Sequence, residues 1–240
     1  MDLRARRLAE SASAAIGVKS GVRILHASDL HNRVRGTMWI RALASATNAD
    51  VLAFTGDLSG LGSLAERAFW RMLRAPHVPA IYCRGNHDSD RLARYVLSSG
   101  GVAMDGRVRT AGGLSWWGYE DPNVTRLLIG PKYRPSLCVS GAKNNSPGSA
   151  PVVVAVHNDL MVPVVPQGVR LVLTGHYHRQ RYLEKDGCHF VRCGSSGGGG
   201  PFGGDMHACV IDVDPVDHAP LGIWALSTAD GGVSETWLRS

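Results

Sequence analysis

Residues 85–88 read GNHD, and the same mixture of carboxylate, amide and imidazole recurs as DLH at 29–31, GD at 56–57, HND at 157–159 and GHYH at 175–178. Oxygen and imidazole donors without thiolates suit manganese, iron or zinc, and they speak against a structural cysteine-zinc site. Each run also has a plain explanation. Gly, Asn and Asp tolerate the positive backbone angles of tight turns. Asp29 and Asp57 could cap the helices that follow them. An isolated His157 or His176 is equally at home as a hydrogen-bonded core histidine. The plain explanations share no common cause, however, and the runs share a position: each follows a short apolar segment.

Those segments define the elements that must do the positioning. VRILHASDL, DVLAFTGDL and VPAIYCRGNHD read as strands, and the stretches 36–48, 62–75 and 90–98 read as helices. The β-α-β-α-β order predicts a largely parallel sheet with helices packed on it. VVVAV at 152–156 and VRLVL at 169–173 supply two more strands, ending at His157 and at GHYH. Ligands of open α/β sheets gather at the carboxyl ends of strands, so five strand ends are expected to converge. In extended chain, residues i and i+2 face the same way, which would let Asp29 with His31, and His176 with His178, each present two ligands to one point.

Beyond residue 100 the pieces VAMDGRVRT, LSWWGYE, MHACVIDVD and LGIWALSTA are strand-like, with Trp116 and Trp117 read as strand packing. The stretch 121–150 is irregular and long enough to be a functional lid or a disordered segment. The run CGSSGGGGPFGG at 193–204 has no helix signal after it and reads, by composition, as a mobile loop. His26, His77, His189, His207 and His218 lie outside the pattern and read as structural or surface residues.

With 240 residues, 44% hydrophobic and 19% charged, the chain has the composition of a soluble globular protein. No apolar stretch approaches the ~20 residues a membrane-spanning helix needs. Residues 1–20 read as a basic helical segment carrying Arg4, Arg6 and Arg7, without the pattern of a secretory signal. Surface packing of this segment is preferred over a juxtamembrane role, and residues 21–240 are read as one domain. Five cysteines, none in a CxxC pair, fit a reduced cytoplasmic setting. The net charge of +6 suits anionic partners: phosphates, nucleic acid or an acidic membrane surface.

Taken in order, DLH, GD, GNHD, His157 and GHYH resemble the blocks of the calcineurin-like metallophosphoesterase superfamily over roughly residues 22–200. Val156 stands where many members have Gly. The resemblance implies a four-layer α/β/β/α sandwich around a dinuclear metal centre. Asp29, His31 and His178 would hold one metal, Asn86, His157 and His176 the other, and Asp57 would bridge them. Manganese is favoured, with iron or zinc as alternatives. Such a pair of cations, roughly 3.5–4 Å apart, shares a hydroxide that attacks phosphorus. In this reading Gly85 permits a sharp turn beneath the metals. His87 stays free of metal to stabilise the transition state or protonate the leaving oxygen, and Asp88 orients its ring. CGSSGG at 193–198 resembles a segment that lies beside the site in the family.

The expected function is therefore metal-dependent hydrolysis of a phosphate ester, with a phosphodiesterase favoured over a phosphomonoesterase. Nucleic acid is a conceivable substrate that no residue pattern indicates specifically. The basic N-terminus raises a membrane-proximal enzyme acting on lipid phosphates. A non-catalytic interaction scaffold, like the retromer subunit that resembles these enzymes, is the reading from a different class. Substrate and oligomeric state are left open by the sequence.

Overall fold

The computed structural model describes residues 3–60, 65–75, 77–125, 134–138, 152–199, 204–229 and 232–239. Most of the irregular stretch 121–150, and residues 200–203 of the glycine-rich run, lie outside the described residues. Among the described residues, four helices, α1 (Leu3–Ile16), α2 (Val34–Ala46), α3 (Glu66–Leu73) and α4 (Asp90–Ser98), and a helical turn at 135–138 accompany two sheets. The first sheet is formed by β1 (Val22–Ala27), β2 (Val51–Phe54), β3 (Ala80–Tyr82), β4 (Val102–Ala103), β11 (His207–Val213), β12 (Pro220–Ser227) and β13 (Gly232–Arg239), in the order β13-β12-β11-β1-β2-β3-β4. The second comprises β5 (Arg109–Ala111), β6 (Leu114–Trp117), β7 (Val153–Ala155), β8 (Leu171–Thr174), β9 (Gln180–Lys185) and β10 (Cys188–Cys193), in the order β5-β6-β7-β8-β10-β9.

Strands β1 to β4 run parallel, as do β6, β7, β8 and β10. Both faces of such strands are covered, which is why VLAF and LVLT are continuous apolar runs instead of alternating ones. Ile24, Ala53, Ile81, Trp116, Val153, Leu173 and Ile211 fill the space between the sheets. On the outer face of the first sheet, Leu25, Leu52, Phe54, Tyr82 and Val210 pack against Trp39, Leu43, Trp70 and Val96 of the helices. Trp117, Val154 and Val172 form a third cluster on the far face of the second sheet. There the described residues supply a helical turn at 135–138, which brings Cys138 into the cluster, a 3-10 turn, Asp159–Met161, and flanking loop. This is the expected sandwich, with a thin fourth layer among the described residues. Trp116 and Trp117 are both packing residues, their indole N–H groups donating to the Ala111 and Gly106 carbonyls.

Helix α1 belongs to the same core. Ala5, Ala9, Ala12 and Ile16 recur at helical spacing and are buried, and the small alanines let α1 lie close to α2. Helix α4 starts where Ser89 Oγ accepts from Leu92 N at 3.2 Å, with Asp90 complementing the helix dipole. No helix among the described residues is long and apolar enough to cross a membrane.

His26, on β1, is completely buried, and one of its ring nitrogens, Nε2, lies 2.9 Å from Thr55 Oγ1. Burial lowers its pKa from 6.5 to about 3, against the opposing field of Asp29. The native state therefore keeps His26 neutral while the unfolded chain takes up a proton below pH 6.5. Stability contributed by this group is full above that pH and declines as pH falls toward 3, by about 1.4 kcal/mol per unit. Urea unfolding of chelated protein between pH 4 and 7 is expected to show this slope, and His26→Gln to show a shallower one; equal slopes would refute the assignment.

Candidate metal centre

The first surprise is local conformation. β1 stops at Ala27 and β8 at Thr174, so the expected strand alternation does not present the ligand pairs. Instead Asp29, His31, Asp57, His176 and His178 all adopt positive φ, at 54°, 45°, 52°, 70° and 56°. Non-glycine residues in this region cost about 1–3 kcal/mol each and persist where surrounding contacts over-determine them. Here the turns lock into one another. Asp29 N donates to Gly56 O, His31 N to Asp57 O, and Gly175 N to His157 O. His176 N donates to Asp29 Oδ2 and His87 N to Asp57 Oδ1, each at 2.9 Å. Neither aspartate caps a helix: the N-cap positions of α2 and α3 are Arg33 and Ala65, both without a side-chain cap.

Three glycines permit this close assembly. A Cβ on Gly175 would lie 1.8 Å from Ser28 Oγ and 2.7 Å from Asp29 Oδ2, and one on Gly85 would lie 2.2 Å from Asp57 Oδ1. Gly85 does not need a positive φ, so its role is close approach instead of the sharp turn expected of it. Gly56 combines both demands, with φ +96° and His157 Nδ1 2.6 Å from the Cβ it lacks. Gly175→Ala is expected to push the β1 and β8 loops apart, lowering stability by about 1–3 kcal/mol and metal content below that of the wild type. Thermal unfolding and metal analysis check this; wild-type values for both would exclude the steric role.

The seven residues form two adjoining groups. Asp29, His31 and His178 place their donor atoms within 4.8 Å of one another, as do Asp57, His157 and His176. In the first, the Nε2 atoms of His31 and His178 are 3.1 Å apart, and Asp29 Oδ1 lies 3.3 Å from His178 Nε2. In the second, His157 Nε2 is 3.2 Å from Asp57 Oδ2 and 3.2 Å from His176 Nδ1. Asn86 joins it, its Oδ1 3.0 Å from His157 Nε2.

The carboxylates and imidazoles of the site shift one another's proton affinities. Burial works against a charged His157, yet the Asp57 carboxylate outweighs it and lifts the imidazole to about 10. Asp57 is itself buried, and His157 holds its carboxyl well below the usual range. Burial and then the charge on His157 push His176 down to about 4. Burial lowers His31, while the nearby Asp29 carboxylate raises His178. Asp29 Oδ1 is buried without a hydrogen bond. Facing imidazole nitrogens about a buried carboxylate oxygen with no donor fit a divalent cation, which all three atoms could ligate.

His87 belongs to neither group. Its ring stands edge-on to His31 with centroids 5.2 Å apart, and its Nδ1 is buried without a hydrogen bond. Asp88 does not orient it, contrary to expectation. Asp88 Oδ1 accepts from Ser59 N at 2.7 Å, and Oδ2 accepts from Tyr82 O–H at 2.9 Å and Gly85 N at 3.1 Å. The carboxylate thus ties the GNHD turn to β3 and the loop after β2. Burial, then the Asp57 charge, raises Asp88 to about 7.

Sequence reasoning missed Thr125. Its hydroxyl accepts from Asn86 Nδ2 at 2.7 Å, which turns the amide oxygen toward His157. Nothing in the spacing around Thr125 signals this. The CGSSGG segment does lie beside the centre: Ser195 Oγ donates to Asp29 O at 2.9 Å and Ser196 N to Ser28 O at 2.8 Å, bracing the first turn.

A family model described as calcineurin-like phosphoesterase matches residues 22–180, more than half of the chain and every block of the centre. The chain belongs to the calcineurin-like phosphoesterases. Among solved structures, this phosphoesterase is similar to GAP50, the anchor in the inner membrane complex of Plasmodium, with TM-score 0.55 and 13% identity over 91% of this chain and 88% of that one. It is also similar to TT1561 of Thermus thermophilus, with TM-score 0.53 and 17% identity over 80% of this chain and 95% of that one. Vacuolar protein sorting 29 from Cryptosporidium parvum gives TM-score 0.50 and 15% identity over 91% and 99%. At these identities the likeness speaks for the fold. A comparison with curated proteins found no match.

Proposed function

We propose that this calcineurin-like phosphoesterase is a hydrolase requiring two metal ions, preferring phosphodiesters to monoesters. The observation that carries the reading is the pair of donor clusters, Asp29/His31/His178 and Asp57/His157/His176, beside an imidazole that neither uses. In this reading Asp57, hydrogen-bonded to the His87 backbone and paired with His157, bridges the two sites, and Asn86 completes the second. Bound cations would neutralise phosphoryl oxygens and lower the pKa of water toward neutrality. Asn86 contributes a donor without charge, which limits the repulsion of an anionic substrate. His87 is free to hold a proton and deliver it to the departing alkoxide, the demand that distinguishes diesters of poor leaving groups. Donors of this type favour manganese, with iron or zinc as alternatives.

The test is hydrolysis of bis(p-nitrophenyl) phosphate and p-nitrophenyl phosphate, side by side, after chelation and after adding back manganese. Activity is expected to vanish on chelation and return with metal, faster on the diester. A faster monoester would overturn the preference, and a fully metal-loaded protein inactive on both would replace hydrolysis by a binding role.

A further inference from the structure

A second group of donors lies below the first turn, and it contains thiols. His26 on β1, Cys193 at the end of β10 and Cys209 on β11 place a ring nitrogen and two sulfur atoms within 4.8 Å of one another, and all three residues are completely buried. The fold creates this group from three separate strands. His26 and Cys209 are direct partners in the antiparallel β1–β11 ladder, so their side chains leave the sheet on the same face. Ile24 and Ile211, two positions away on each strand, identify that face as the one between the sheets. Cys193 approaches from the second sheet, two residues after Val191, which lies in the same inter-sheet core.

One polar atom of the group, a ring nitrogen of His26, has no partner among the described residues. His26 Nε2 meets Thr55 Oγ1, but Nδ1 is buried with no hydrogen bond. Cys193 Sγ donates to His26 O at 3.3 Å and lies 3.7 Å from His207 O, Cys209 Sγ lies 3.9 Å from Gln180 Nε2, and the two thiols hydrogen-bond to each other. We infer that His26, Cys193 and Cys209 form a site for one thiophilic divalent cation, zinc foremost, which links the two sheets beneath the phosphoesterase centre. Two thiolates and a neutral imidazole around a dication sum to zero charge, the state a buried apolar setting tolerates best. Binding displaces one proton from each thiol and changes no oxidation state. The Thr55 hydroxyl bonded to Nε2 fixes the ring as a second partner does for ligating histidines. Ser196, whose Oγ is 3.7 Å from Cys193 Sγ, offers a hydroxyl oxygen nearby.

This site differs chemically from the carboxylate and imidazole centre, so spectroscopy separates the two whether or not the protein hydrolyses phosphate esters. Zinc-loaded protein is expected to show a sulfur shell at about 2.3 Å in X-ray absorption. Cobalt titration should give a thiolate charge-transfer band whose amplitude at saturation corresponds to one cobalt per chain. Cys193→Ser and Cys209→Ser should each lose the band and one zinc per chain, and Asp57→Asn should keep the band. Zinc-loaded wild type without sulfur ligands would overturn the proposal even if the cysteine variants fail to fold. So would a band that survives in the double variant Cys193→Ser/Cys209→Ser, since it would arise from Cys83, Cys138 or Cys188.

Discussion

His87→Ala is expected to lower kcat on the manganese-restored diester by about 10²–10⁴-fold while leaving metal content at the wild-type value. The two halves of that result have separate causes. The structural tie from residue 87 to the centre is its backbone N–H, which donates to Asp57 Oδ1 and survives the substitution. The side chain contributes to neither donor cluster, and its Nδ1 has no hydrogen bond. Removing the ring therefore removes proton delivery without removing a ligand. The loss should be steeper for an alkyl ester than for a p-nitrophenyl ester, because the poorer leaving group depends more on protonation. Steady-state rates on both esters, with metal analysis of the same samples, decide the matter. Unchanged kcat on the alkyl ester would remove His87 from the reaction, and lost metal would recast it as a ligand.

Helix α4, read from the pattern at 90–98, runs over Asp90–Ser98, and the strand ends carrying DLH, GD, GNHD, His157 and GHYH meet at one edge of the sandwich. These features were legible because they depend on residue type and local order. The β9–β10 hairpin was legible in principle and overlooked. Its two-residue turn, Asp186-Gly187, has φ of 54° and 72°, as a type I′ turn requires, and Asp-Gly is a strong signal for it. Strand β9 is largely exposed and polar, so apolar-run reasoning passed over it. Other features could not be read from spacing. The partner of Asn86 is Thr125, 39 residues away, and the partners of Asp88 include Tyr82 and Ser59, chosen by how the loops pack. The thiol group is the sharpest case. CxxC spacing was the sign sought, yet the His26–Cys209 pairing depends on the register of strands far apart in sequence.

Asp212→Ala is expected to destabilise the fold by about 3–5 kcal/mol, a large fraction of the 5–15 kcal/mol typical of a domain. Asp212 lies at the opposite end of β1 from the metal centre, paired in register with Arg23. Its two oxygens accept Arg23 Nε at 2.6 Å and Nη2 at 2.7 Å, and Oδ2 also accepts Ser20 N at 2.9 Å. Both side chains are withdrawn from water, with relative exposures of 4% and 0%. Removing the carboxylate would leave a permanently charged guanidinium buried beside Thr47 O and the Trp224 ring, with one fewer backbone N–H satisfied. Most of the loss is the cost of the stranded charge, so the double variant Arg23→Met/Asp212→Leu should recover much of it. Urea unfolding of the two single variants and the double variant measures the coupling. Because the pair touches none of the residues around Asp29 or Asp57, metal-loaded turnover per folded molecule should be retained below the transition temperature. A single-variant loss below 1 kcal/mol would show that this buried pair does little to hold β1 against β11.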